Sequence, residues 1–134
     1  MYTWRYVLAV VVFTALASLL YAKIVNAQEL TASWYSVESL RAEGTYKTSK
    51  GIMANGKEIN ENAYTCASRD YAIGDWLLVT AIDSGRNVIV QVTDRIGRRF
   101  KGKRIDLSKG AFGKLLMEGE TFDKGLLKVK VTKL

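Results

Sequence analysis

Two carboxylates bracket the most basic stretch of this chain. Residues 94–108 read DRIGRRFKGKRIDLS, with Asp94 closing one apolar run and Asp106 inside another, and with Arg95, Arg98, Arg99, Lys101, Lys103 and Arg104 between them. Carboxylic acids brought together by a fold suit general acid/base work on a substrate, in which one group holds a proton that it can deliver to a leaving group. Delivery near neutral pH requires a carboxyl pKa well above about 4, hence burial or a second carboxylate close by. Plainer roles are open to both. Asp106, or Ser108 beside it, precedes a short helical pattern and would serve as its N-cap. Asp94 would close an Asx-type turn after its strand. The cations between them are either a solvated loop or a grip on carboxylates and anionic polymer.

Much other chemistry is excluded. The chain has no histidine, which removes His-ligated zinc, Ser-His and Cys-His nucleophiles and imidazole acid/base work. Neither a metal nor a cofactor is expected. The single cysteine, Cys66, cannot form an internal disulfide, and its setting in AYTCAS reads as a small buried hydrophobe.

The elements that must position the aspartates are mostly strands. TASWYS (31–36) alternates, AYTCA (63–67) is a second short strand, and DWLLVTAI (75–82) and NVIVQVTD (87–94) are joined by the hairpin signal DSGR. GLLKVKVTKL closes the sequence with Leu127, Val129 and Val131 on one face and lysines on the other. Only LSKGAFGKLLME (107–118) reads as helix, weakened by Gly110 and Gly113. Many short strands with one helix favour a closed barrel, which leaves no sheet edge exposed. The connections 45–62 and 95–104 are long for such a barrel, and long connections in compact domains carry function.

The first 27 residues are a different material. Arg5 precedes an apolar run at 6–22, followed by KIVNA. The run suits either a signal peptide with cleavage after VNA (25–27) or a membrane anchor, and both readings export the residues beyond it. The expected organisation is therefore an N-terminal apolar helix at 1–27 and one domain at 28–134, a monomer in the cell envelope or secreted. Setting aside Arg5 and Lys23 leaves 18 of the 20 basic residues against 13 acidic ones, a net of +5. A basic exported domain points to anionic polymer or lipid rather than to nucleic acid.

The ordered set ASWYS (32–36), MANGKEINENAYTCAS (53–68), IGDWLLVTAIDSGRNVIVQVTDR (73–95) and GKRIDLSKGAF (102–112) resembles the rare lipoprotein A-like double-psi β-barrel family, whose core is shared with bacterial expansins. The resemblance spans residues 31–134. It implies an all-β fold, a six-stranded double-psi barrel with one short helix and a groove for polysaccharide. It implies either a lytic transglycosylase on peptidoglycan glycan strands or a non-catalytic, expansin-like wall-binding or wall-loosening module. Asp106 in IDLS falls on the aspartate that both branches need, and Asp94 in VTDR on a second groove aspartate. Tyr35 and Ser36 match groove residues of the first strand, and Ser68 stands where the lytic enzymes usually carry a histidine. Arg95 and Arg104 are expected to bind substrate beside the aspartates. Of the aromatics Trp34, Tyr35 and Trp76, Tyr35 is the one the resemblance places at the groove.

Overall fold

The computed structural model describes residues 3–25 and 27–134. Asn26, and with it the cleavage motif expected at 25–27, lies outside the described residues. Helix α1 (Trp4–Val25) precedes a barrel of six strands. Side chains of α1 are described as far as Leu19, and among the described residues no helix is long and apolar enough to cross a membrane.

The strands are β1 (Gln28–Tyr35), β2 (Thr65–Ala67), β3 (Trp76–Ala81), β4 (Asn87–Asp94), β5 (Arg104–Ser108) and β6 (Leu127–Lys133). They close in the order β1-β5-β2-β4-β3-β6. β1 with β5 and β2 with β4 run parallel, whereas every other neighbouring pair is antiparallel. The all-β six-stranded barrel is the expected fold.

The period-2 alternation decides what fills it. Leu30 and Ala32, Leu77 and Val79, Val90 and Val92, Ile105 and Leu107, and Val129 and Val131 point inward and are buried, while Lys128 and Lys130 are exposed on the outer wall. Cys66 belongs to this core and is fully buried. Burial pushes its thiol up to about 12, with the nearby Asp106 charge adding to the effect. It is the inert hydrophobe expected.

Helix α4 (Lys109–Leu115) closes one side of the core through Ala111, Phe112 and Leu115. Phe112, Phe122 and Trp34 form an aromatic cluster with ring centroids 5.1–6.5 Å apart, and the Trp34 indole donates to the Phe122 carbonyl at 3.2 Å. Trp34 is therefore structural.

Two local features differ from expectation, the extent of the helix and the connection after β1, and a third decides between the two expected caps. The helix read at 107–118 spans only Lys109–Leu115, because residues 107–108 are held in β5 by pairing with β1 and β2. Ser108 caps it, accepting from Ala111 N–H and donating to the Ala63 carbonyl at 2.6 Å, so Asp106 is not an N-cap. The connection after β1 also folds into α2 (Val37–Ala42) and α3 (Thr45–Ser49), two short helices that local propensity hid.

Gly110 permits a close approach. Its N–H donates to the Glu61 carbonyl at 2.8 Å, and a Cβ there would sit 2.8 Å from the Asn62 carbonyl oxygen. Helix propensity alone would make Gly110→Ala stabilising by about 1 kcal/mol. The backbone contact reverses the sign, and a loss of roughly 1–3 kcal/mol is expected in chemical denaturation.

Candidate active site on the outer wall of the barrel

Register brings the two aspartates into one row. Ser33 in β1 lies opposite Asp106 in β5, Asp106 opposite Ala67 in β2, and Ala67 opposite Asp94 in β4. The aspartates are thus two strands apart, roughly 9–10 Å between backbones, with only the small Ala67 between them. A shift of register in β2 between Cys66 and Ala67 sets this alignment. In β5 the core-facing Ile105 and Leu107 are buried, and Arg104 and Asp106 alternate onto the outer wall, both partly buried.

The Asp106 carboxyl is raised from 3.8 to about 6. Burial is the chief cause, and the charges of Glu43 and Asp94 add to it. The Ser33 hydroxyl, donating to Oδ1 at 3.0 Å, and the Arg104 guanidinium act in the opposite direction without overcoming it. A carboxyl in this state is available as a proton donor near neutral pH.

Asp94 is held by the loop before β2. Its Oδ1 accepts from Ala54 N–H at 3.0 Å and from Arg95 N–H at 2.9 Å. Asn55 N–H donates to the Thr93 carbonyl at 3.1 Å, and the Thr93 hydroxyl donates to Met53 Sδ. The Met-Ala-Asn-Gly turn is thereby clamped onto the end of β4, beside the row.

The other expected site residues separate. Tyr35 is buried, its hydroxyl 2.7 Å from Thr65 Oγ1; burial and the charges of Asp106 and Asp94 help push its phenol up to about 12. Buried in this way, its ring has no open face for stacking. Ser36 is buried in a capping box, accepting from Ser39 N–H at 3.1 Å, and so begins α2. Ser68 is fully buried and accepts from Asp70 N–H at 3.1 Å. Its hydroxyl orders a turn instead of facing a ligand. The Arg95 guanidinium donates to the Ser68 and Tyr71 carbonyls and braces loops. Arg104 stays on the outer wall of β5 beside Asp106, 4.6 Å over the Phe100 ring. Trp76 is half exposed on β3 and lies outside the row.

Two participants were not foreseen. Ser33 shares the outward alternation of Thr31 and Tyr35 in TASWYS, a signal that the parallel β1–β5 register alone turns into a contact with Asp106. Glu43, at the end of α2, lay in a connection without readable structure. No group of carboxylates or cysteine suited to a metal ion occurs among the described residues.

A family model described as lytic transglycolase matches residues 27–131. The endolytic peptidoglycan transglycosylase RlpA of Pasteurella multocida is 36% identical over 80 residues, covering 60% of this chain and 27% of that protein. The probable endolytic peptidoglycan transglycosylase RlpA of Treponema pallidum is 40% identical over 58 residues, covering 43% and 18%. The chain thus spans about a quarter or less of these relatives. Among solved structures, a variant of the Clavibacter michiganensis expansin in complex with cellohexaose superposes with a TM-score of 0.53 at 19% identity, over 81% of this chain and 50% of that one. At that identity the likeness is one of fold.

The raised Asp106 has a thermodynamic signature. A carboxyl whose folded pKa exceeds its unfolded value lends stability below the unfolded pKa and loses it as pH rises through about 6. Asp106→Asn, neutral throughout, should stay close to wild type at pH 4 and exceed it by roughly 3 kcal/mol at pH 8, read by urea denaturation at both pH values.

Proposed function

The chain belongs to the lytic transglycolase family of double-psi barrels, and from that premise we propose that it cleaves peptidoglycan glycan strands with Asp106 as the acid and base. The observation that carries this reading is the carboxyl of Asp106 on the outer wall, raised to about 6 in a row with Ser33 and Asp94.

The protonated carboxyl gives its proton to the glycosidic oxygen as the C–O bond breaks, which leaves an oxocarbenium-like sugar and an aspartate anion. The anion then takes the proton of that sugar's own 6-hydroxyl as its oxygen closes on the anomeric carbon. The product is an anhydro sugar, no water is consumed, and Asp106 ends protonated. One carboxyl group suffices for both steps. Asp94 keeps the neighbourhood negative, favouring the neutral acid at the start. Arg104 offers a cation to the carboxylates of the glycan. The chain works as an exported envelope monomer without cofactor, and residues 1–27 act as its signal peptide or membrane anchor.

A second reading is an expansin-like module that binds wall polysaccharide without cutting it. Ser68 favours it, because the resemblance puts a histidine of the lytic enzymes at this position and the serine here is fully buried.

The test incubates the full-length chain, wild type and Asp106→Asn, with amidase-stripped sacculi and reads the released material by mass spectrometry. Wild type should release glycans one water lighter than hydrolysis products, with a rate that falls as pH rises through about 6. Asp106→Asn should lose about 100-fold or more. Absence of any soluble product at every pH, with both proteins pelleting on the wall, would leave the binding module.

A further inference from the structure

One end of the barrel gathers the chain entry from α1 and the most basic loop. At the start of β1, Gln28 accepts from the Tyr71 hydroxyl at 3.0 Å. Asp70, beside Tyr71, accepts Gly102 N–H at 2.8 Å, and the Arg69 guanidinium donates to the Ile96 carbonyl. Thr31 N–H donates to the Lys103 carbonyl, and Leu134 N–H to that of Trp76. The loops 69–75 and 95–103 therefore lie with the start of β1, the start of β3 and the end of β6. The hairpin at 82–86 lies at the far end of β3 and β4.

The surface at this end is both cationic and apolar. Residues 95–104 hold six Arg or Lys and no acid; of these, Arg98, Arg99, Lys101 and Lys103 are exposed. Asp70 is engaged with Gly102 and Asp75 with Lys133 at 3.6 Å, while Glu29 is an exposed acid on β1. Trp76 is 50% exposed and Ile73 37%. Ile89, 49% exposed, lies opposite Leu78 on the outer wall beyond Trp76. None of these apolar side chains serves the row at Asp106.

The chain immediately before Gln28 is α1, whose apolar side chains are exposed on every side, from Tyr6 and Val7 round to Phe13. A helix apolar all round requires an apolar medium. Exposed tryptophan and aliphatic groups among Lys and Arg suit the boundary between lipid and water, where the cations are drawn to anionic headgroups.

We propose that, in the chain that retains α1, this end of the barrel docks on anionic lipid headgroups, with the 98–103 loop on the phosphates and Trp76 and Ile73 in the interface. Docking uses the loop that joins Asp94 in β4 to Arg104 in β5, so it borders the row. It does not depend on what the groove does to a glycan.

The test places a fluorophore on Thr132→Cys, beside Leu78 on this face, or on Asn87→Cys near the hairpin; buried Cys66 is shielded from labelling. Full-length protein is reconstituted into vesicles of phosphatidylcholine alone or with phosphatidylglycerol, and quenching by nitroxide lipids is read. The 132 label should be quenched at least threefold more in anionic vesicles, and the 87 label equally in both. Replacing Arg98, Arg99, Lys101 and Lys103 by Gln should abolish the difference, and Asp106→Asn should leave it intact. Equal quenching of the 132 label in both lipids, or an unchanged difference in the Gln variant, overturns the proposal. So does loss of the difference on adding stripped sacculi, which would assign the face to wall polymer.

Discussion

A carboxyl group held away from water on the outside of a closed barrel is the constraint on which the rest of this structure depends. Strand alternation sends Ile105 and Leu107 into the core and leaves Asp106 on the wall. On an open wall it would titrate as an ordinary surface acid. Neighbouring groups enclose it instead: Ser33 on one side, Ala67 on the other and the charge of Glu43 nearby. Burial then outweighs both the Ser33 hydroxyl and the Arg104 cation. The tie between packing and chemistry is direct, since whatever loosens β1 against β5 also hydrates the acid.

The remaining polar groups near the row serve order. Ser36 and Ser108 begin helices, Ser68 pins a turn, and Arg95 braces two loop carbonyls. Asp94 holds the Met-Ala-Asn-Gly turn through backbone N–H groups while its charge acts on Asp106. Buried polar atoms are satisfied throughout; among the described residues no buried side-chain N or O lacks a partner. This division leaves the two aspartates as the charged groups of the row, with Arg104 beside it on β5 and Glu43 nearby.

The barrel was legible because period 2 is written plainly into DWLLVTAI, NVIVQVTD and LKVKVTK, and because the hairpin and the final strand place those segments side by side. β5 was not, since RIDLS is short and runs into a helix, so Asp106 read equally well as a cap. The row itself needed parallel pairing of β1 with β5 and of β2 with β4, which no local pattern encodes. Ser36, Ser68 and Arg95 matched the groove by position yet turn inward, since residue type does not fix which way a side chain leaves a loop. Glu43 was invisible for a related reason: α2 is six residues long and stands through its capping box and tertiary contacts.

The central claim is that the fold lifts the Asp106 carboxyl well above the ordinary aspartate range, so that a usable fraction stays protonated near neutral pH. The direct measurement is the titration of its side-chain carbonyl carbon by NMR in the full-length chain, assigned by its absence in Asp106→Asn and repeated in Glu43→Gln. A midpoint near 6 in wild type, moving downward in Glu43→Gln, is the predicted result. A midpoint at or below the ordinary aspartate value of about 4 would contradict it.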